Sequence, residues 1–161
     1  MKLSAQEEYG LRCLVRMGRK GPAETLTIPE ISRVEGISVP YVAKMMRALR
    51  RGGFVTSVRG QTGGYTLARP PERIVIGEAL AVLGGRFFEG GFCEDHAGAA
   101  DVCTHSVDCS IRSLWRTVQS VVDQVLSKTT LQDLLCNEQQ MSTWVSGLVT
   151  VTPGPARIGV N

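Results

Sequence analysis

The stretch from Gly36 to Leu67 reads GISVPYVAKMMRALRRGGFVTSVRGQTGGYTL, and it decides the fold. Gly36-Ile37-Ser38 forms a tight turn, after which Ser38 is placed to cap a helix from Val39 to about Arg51, with Pro40 early and Gly52-Gly53 at its end. Val42, Met45, Met46 and Leu49 recur at helical spacing and face a core. Tyr41, Lys44, Arg47 and Arg51 are then left for the rest of the surface. Phe54–Val58 reads as a strand, Arg59-Gly60-Gln61-Thr62-Gly63-Gly64 as a glycine-rich turn, and Tyr65–Leu67 as a returning strand. A basic helix followed by such a hairpin is a helix-turn-helix with a wing.

Upstream, Thr27 with Glu30 is a capping-box pair opening a short helix through Ile28, Ile31 and Val34 that stops at Gly36. Ser4 with Glu7 repeats the pattern for a first helix ending near Lys20-Gly21, in which Leu11, Leu14, Val15 and Gly18 share a face. The expected class is mainly α with a small β-wing: a winged helix-turn-helix over residues 1–85, joined to a long dimerisation helix.

Charge agrees with this division. The chain of 161 residues carries a net charge of +3, yet Tyr41–Arg73 alone holds seven basic residues against the single acid Glu72. The next stretch is acidic, with Glu89, Glu94, Asp95, Asp101 and Asp108 and no Lys or Arg after Arg86. One segment suits a polyanion and its neighbour does not. Lys44 and Arg47 reach phosphates or base edges, and Arg59 at the wing's base suits a narrow minor groove. Gly60, Gly63 and Gly64 allow close backbone approach to phosphate.

Composition narrows the classes further. Charged residues are 20% and hydrophobic ones 43%, an ordinary globular profile. The longest uncharged run, Gln139–Ala156, is rich in Gln, Ser, Thr, Gly and Pro and does not span a bilayer. Glu7, Glu8, Arg12 and Arg16 interrupt any signal-peptide core, so a cytoplasmic location is expected. No phosphate-binding glycine motif precedes a helix, and no Ser or Cys nucleophile with a His base is evident, so neither an enzyme nor a small-molecule substrate is expected.

Five cysteines occur, Cys13, Cys93, Cys103, Cys109 and Cys136, and an odd number in such a chain argues against a disulfide framework. Cys93, Cys103 and Cys109 are spaced C-x9-C-x5-C, unlike the paired knuckles of structural zinc. Three thiolates can hold an iron–sulfur cluster, which then needs a fourth ligand. Cys13 and Cys136 adjoin apolar residues and read as core thiols.

Ile31-Ser32, Gly36-Ile37-Ser38, Tyr41, Leu49, Gly53, Val58-Arg59-Gly60 and Gly63-Gly64-Tyr65, with Met1-Lys2-Leu3-Ser4, Tyr9, Ile76-Gly77-Glu78-Ala79 and Leu114-Trp115, give the chain a resemblance to the IscR and NsrR family of bacterial winged-helix regulators. The resemblance covers about residues 1–136. It implies a DNA interface through Ser38, Pro40, Tyr41, Lys44, Arg47, Arg51, Arg59, Gly60, Gly63 and Gly64. Positions 43 and 44 hold base-reading side chains in this family; here Ala43 suits a thymine methyl and cannot accept from cytosine.

Cluster-binding members carry three cysteines in the corresponding loop, the last a few residues before a Leu-Trp pair, as Cys109 stands before Leu114-Trp115. The ligating His of IscR-like members is replaced by Arg112. NsrR-like members use a carboxylate from the first helix of the partner subunit, and Glu8 stands at the matching position. The implied ligand set is Cys93, Cys103, Cys109 and Glu8, with a 4Fe–4S cluster preferred to 2Fe–2S. Glu7, His96 and His105 are the other donors nearby.

From Ser110 onward Ile111, Leu114, Trp115, Val118, Val121, Val122, Val125 and Leu126 form one apolar stripe, longer than a small domain needs to cover. A homodimer on a pseudo-palindromic duplex operator is expected, as the resemblance also implies. Residues 86–109 form the cysteine loop, 110–140 the dimerisation helix and a short terminal helix capped by Thr130 and Asp133, and 141–161 a poorly ordered tail. The reading is a repressor whose operator affinity follows redox, nitric oxide or iron status through the cluster. Its rivals are a zinc or thiol switch on the same fold, and an iron–sulfur electron carrier that binds no DNA.

Overall fold

A computed structural model describes residues 4–21, 24–60, 63–85, 103, 105 and 108–148. Helices α1 (Ala5–Lys20), α2 (Ile28–Glu35) and α3 (Val39–Arg51) are followed by strands β1 (Val55–Val58) and β2 (Gly64–Leu67), a 3-10 turn at Pro71–Arg73, and α4 (Ile76–Leu83). After the cysteine segment come α5 (Ser110–Lys128), α6 (Leu131–Leu134) and α7 (Glu138–Leu148).

Both capping boxes form. Ser4 N donates to Glu7 Oε2 at 2.7 Å and Glu7 N to Ser4 Oγ at 3.4 Å. Thr27 and Glu30 repeat the exchange, and the two Thr27 donors hold the Glu30 carboxyl below its usual range. Ser38 occupies the N-cap of α3 but makes no side-chain cap bond. The reason is local: Pro40 removes one first-turn N–H, and Tyr41 N already donates to the Ser38 carbonyl at 3.0 Å.

The buried face of α1 is Gly10, Cys13, Leu14, Met17 and Gly18, while Leu11 and Val15 are only half-buried. Small residues set that face. A Cβ at Gly10 would lie 2.3 Å from Leu83 Cδ1 of α4, and one at Gly18 would lie 3.0 Å from Leu135. Two helices, α4 and α6, therefore close on α1 at short range.

α3 buries Val42, Met45, Met46 and Leu49 with no exposed surface. Each such side chain contributes about 1.5–3 kcal/mol relative to exposure, which fixes the rotation of the helix and hence what its far side presents. Gly36 turns between α2 and α3 at φ +66°, and Ser32 Oγ donates to the Ile37 carbonyl at 2.6 Å to close the turn.

β1 and β2 pair antiparallel, Val55 opposite Leu67 and Val58 opposite Gly64. Leu26 adds a third short rung: its N–H donates to the Tyr65 carbonyl at 2.9 Å, and Tyr65 N donates back at 2.8 Å. Val75 and Thr130 form a second isolated bridge that ties the start of α4 to the start of α6. The Thr130–Asp133 capping box opens α6 as the sequence indicates, but α6 is not the last element. Helix α7 runs from Glu138 to Leu148 where an unstructured tail was expected from residue 141; its residues are all half-buried or exposed, so it rests on packing beside α5 rather than on a buried face. Residues 149–161 lie outside the described residues.

Candidate nucleic-acid interface

The exposed side of α3 carries Pro40, Lys44, Arg47, Arg50 and Arg51, with Ser38 at its head. Arg50 was not singled out from the sequence, because its spacing borders the core residues. Arg59 and Gly60 continue the exposed basic surface at the end of β1. No acidic side chain stands on α3, so the face is a single-sign patch fixed to a rigid element.

Tyr41 is not on that free surface. It is half-buried, its ring meeting Tyr9 of α1 edge to face at 5.5 Å, with Lys44 Nζ 5.8 Å from the Tyr41 centroid. Arg69 also leaves the pool of free cations. Its guanidinium lies 4.8 Å from the Phe54 ring and its Nη1 is 3.4 Å from Glu78 Oε2.

The three wing glycines divide by role. Gly60 sits at φ +114° with open space where a side chain would be. Gly63 closes the turn by donating to the Gly60 carbonyl at 2.9 Å, and a Cβ there would lie 2.7 Å from that same oxygen. At Gly64 a Cβ would lie 2.8 Å from the Leu26 carbonyl. The missing side chains of Gly63 and Gly64 thus serve contacts inside the protein, and only Gly60 keeps its open side for a ligand. Gln61 and Thr62 lie outside the described residues.

α1 is bolted to the helix-turn-helix. Arg12 Nε and Arg16 Nε reach the two oxygens of Glu35 at 3.2 and 3.0 Å, and Arg12 Nη2 also donates to the Glu35 carbonyl. Glu7 is buried in its capping box, with Gln6 Nε2 donating to the Leu83 carbonyl beside it. Glu8 faces outward in the first turn, on the rim of a cavity of about 300 Å³ walled by Leu11, Leu80, Val122, Leu126 and Met141. Of the two acids, Glu7 is engaged in its capping box, and the Glu8 carboxylate makes no hydrogen bond or ion pair among the described residues.

Among the thiols, Cys103 and Cys109 are free and half-buried. Cys109 is the N-cap of α5, and its Sγ accepts the Arg112 backbone N–H at 3.3 Å. Cys93 and His96 lie outside the described residues, and His105 is exposed. Within the described residues no group of three or more His, Cys, Asp or Glu side chains is arranged around a metal position. Cys13 is fully buried, and burial, aided by the Glu35 charge, pushes its thiol up to about 12. Cys136 is half-buried and donates to the Asp133 carbonyl at 2.7 Å.

The stripe on α5 divides in two. Leu126 packs on the core beside Gly77 of α4 and Val122 and Val125 are half-buried, whereas Ile111, Leu114 and Val121 are 60%, 56% and 43% exposed and Trp115 37%. Among the described residues nothing covers this row, and an exposed apolar row of this length suits an interaction surface. No helix among the described residues is long and apolar enough to cross a membrane.

Comparison with known proteins places the chain. The family model described as Rrf2, iron-dependent transcriptional regulator, matches residues 3–137. The transcriptional regulator IscR of Cereibacter sphaeroides is 32% identical over 156 residues, covering 94% of this chain and 97% of its own. CymR of Bacillus subtilis is 31% identical over 134 residues, 83% of this chain and 89% of its own. Its solved structure, described as that of the global cysteine regulator, has a TM-score of 0.67 and covers 84% of this chain and 96% of its own at 30% identity. The structure of IscR from T. potens gives a TM-score of 0.66 at 30% identity, covering 84% of this chain and 86% of its own. These relatives are transcription regulators, not enzymes.

Proposed function

The chain belongs to the Rrf2 family of transcriptional regulators, and from that premise we propose a dimeric repressor whose operator affinity is switched by an iron–sulfur cluster. Cys93, Cys103 and Cys109 are the thiolate ligands, and Glu8, supplied across the dimer, is the fourth. Residues 1–85 are the DNA-binding domain, 86–109 the sensing loop and 110–140 the dimerisation region.

The observation that carries the proposal is Cys109. Its sulfur receives a backbone N–H at the head of α5, the positive end of a helix, which accommodates the negative charge of a metal-bound thiolate. The same helix carries the exposed row of Ile111, Leu114, Trp115 and Val121. Ligand and dimer surface thus share one rigid element, and a change at Cys109 is felt at the interface that spaces two α3 helices. Soft thiolates suit iron–sulfur ligation, and the exposed carboxylate of Glu8 is a harder, more easily displaced ligand. A bound cluster would supply a centre that oxygen, nitric oxide and iron shortage alter.

On the DNA side, Lys44, Arg47, Arg51 and Arg59 bind phosphates and base edges of a pseudo-palindromic duplex, Gly60 lets the wing approach the backbone closely, and Ser38 and Pro40 head the reading helix. Tyr41 holds Lys44 in place from behind. The absence of an acid on α3 supports this assignment.

The test is purification without oxygen followed by a visible spectrum and assays of iron and acid-labile sulfide. A brown protein containing both, and a Cys103→Ala variant lacking both, is the expected result. A colourless protein that binds its operator overturns the cluster and leaves a zinc or thiol switch on the same fold.

A further inference from the structure

We propose that Val39 is a specificity-determining residue, reading the 5-methyl group of thymine in the operator together with Ala43. The proposal rests on the DNA-binding reading above and deepens it.

Val39 is the first residue of α3 and is 47% exposed, whereas Val42, Met45, Met46 and Leu49 of the same helix are fully buried. It forms no part of the buried cluster or of the apolar side chains packed against it. Four residues on stands half-buried Ala43, and four further on exposed Arg47, so the three make one row along the helix. Apolar, apolar, cation is a row with its own reading logic. The first turn of a recognition helix is the part that meets base edges. In the major groove the thymine methyl is the apolar feature of the base-pair edges, and it is the partner that a valine with no polar atom selects. Ser38 and Pro40 flank Val39 and are also exposed, so nothing in this turn covers it.

Val34 is equally exposed at 47%, but it lies on α2, outside the first turn of the basic helix and outside the row with Arg47. Position and company, rather than exposure alone, single out Val39.

The experiment uses the full chain in its DNA-binding form. An operator is first selected from random-sequence duplex DNA, and each thymine is then replaced by uracil, which deletes only the methyl group. Burying one methyl-sized group corresponds to about a fourfold affinity change, so replacing the same thymine in both half-sites is expected to weaken binding about fifteenfold. Val39→Ala is expected to bind the thymine and uracil operators within about twofold of each other, with its thermal melt unchanged, since alanine suits an exposed helix position. Val39→Thr, which keeps the shape, serves if the alanine variant folds poorly and is expected to lose part of the methyl preference.

Uracil operators that all bind like the parent overturn the proposal. So does a methyl preference that persists unchanged in Val39→Ala, or a Val39→Ala variant whose only defect is weaker dimerisation by sedimentation. Failure to select any sequence above non-specific binding overturns instead the DNA-binding reading on which it stands.

Discussion

Tyr9 of α1 and Tyr41 of α3 meet edge to face, their ring centroids 5.5 Å apart and their planes at 83°. The pair is extended at both ends, by the Arg12 guanidinium 5.8 Å from the Tyr9 ring and by Lys44 Nζ 5.8 Å from the Tyr41 ring. A continuous stack therefore runs from the first helix, one residue beyond Glu8, to a cation on the reading helix. An aromatic pair of this geometry contributes about 0.5–1.5 kcal/mol beyond its buried area. Tyr9→Leu is expected to lower stability by about 1 kcal/mol in urea unfolding and to weaken operator binding as well, whereas Tyr9→Phe, which keeps the ring, is expected to behave like the parent in both.

Glu35 gives a second handle on the same joint. Its two oxygens hold Arg12 and Arg16 at 3.2 and 3.0 Å, and the Glu35 side chain is only 16% exposed against 40% and 32% for its partners. Removing the charge leaves two cations facing a neutral group. Glu35→Gln is expected to cost about 1 kcal/mol, discounted because both arginines remain solvated, and the loss should shrink at high salt. A thermal melt at two ionic strengths checks both statements.

Alkaline pH should act through Cys13. Its thiol is raised from 9.0 to about 12 in the folded chain, so between those values the unfolded state has lost a proton that the folded state keeps. Stability from this group is complete below pH 9 and falls as pH rises, by at most about 1.4 kcal/mol per unit. Urea unfolding across that window should show a steeper decline for the parent than for Cys13→Ala. In the folded protein freed of its cluster, alkylation at pH 8 is expected at half-buried Cys109 and not at fully buried Cys13, which mass spectrometry reads directly.

The apolar row on α5 predicts assembly. Leu114 is 56% exposed and Trp115 37%, with no cover among the described residues. Leu114→Asp is expected to shift sedimentation from a dimer toward the 17.4 kDa monomer, while a melt of the monomer retains the core built on α1, α3 and α4.

Much of this architecture is legible in the sequence, because local rules and burial agree. The Val42, Met45, Met46 and Leu49 spacing gives α3 and its buried side, and the three Ser/Thr capping boxes mark helix starts at single-residue precision. What escapes is what only another element can reveal. Tyr41 reads as surface until Tyr9 covers it, and nothing in the sequence sets Arg69 apart from the other cations of Tyr41–Arg73 until Phe54 and Glu78 take it up. Gly10 and Gly64 carry no signal of the Leu83 side chain and Leu26 carbonyl that approach them. α7 is hidden for a related reason: it lacks a strong apolar period and has no buried residue.

Whether cluster status sets DNA affinity is read from operator binding by the same preparation before and after chelator removes its iron without oxygen. The two dissociation constants are expected to differ by about tenfold or more, a coupling of about 1.4 kcal/mol between the two sites. Equal affinity of the iron-loaded and iron-free dimers would contradict it.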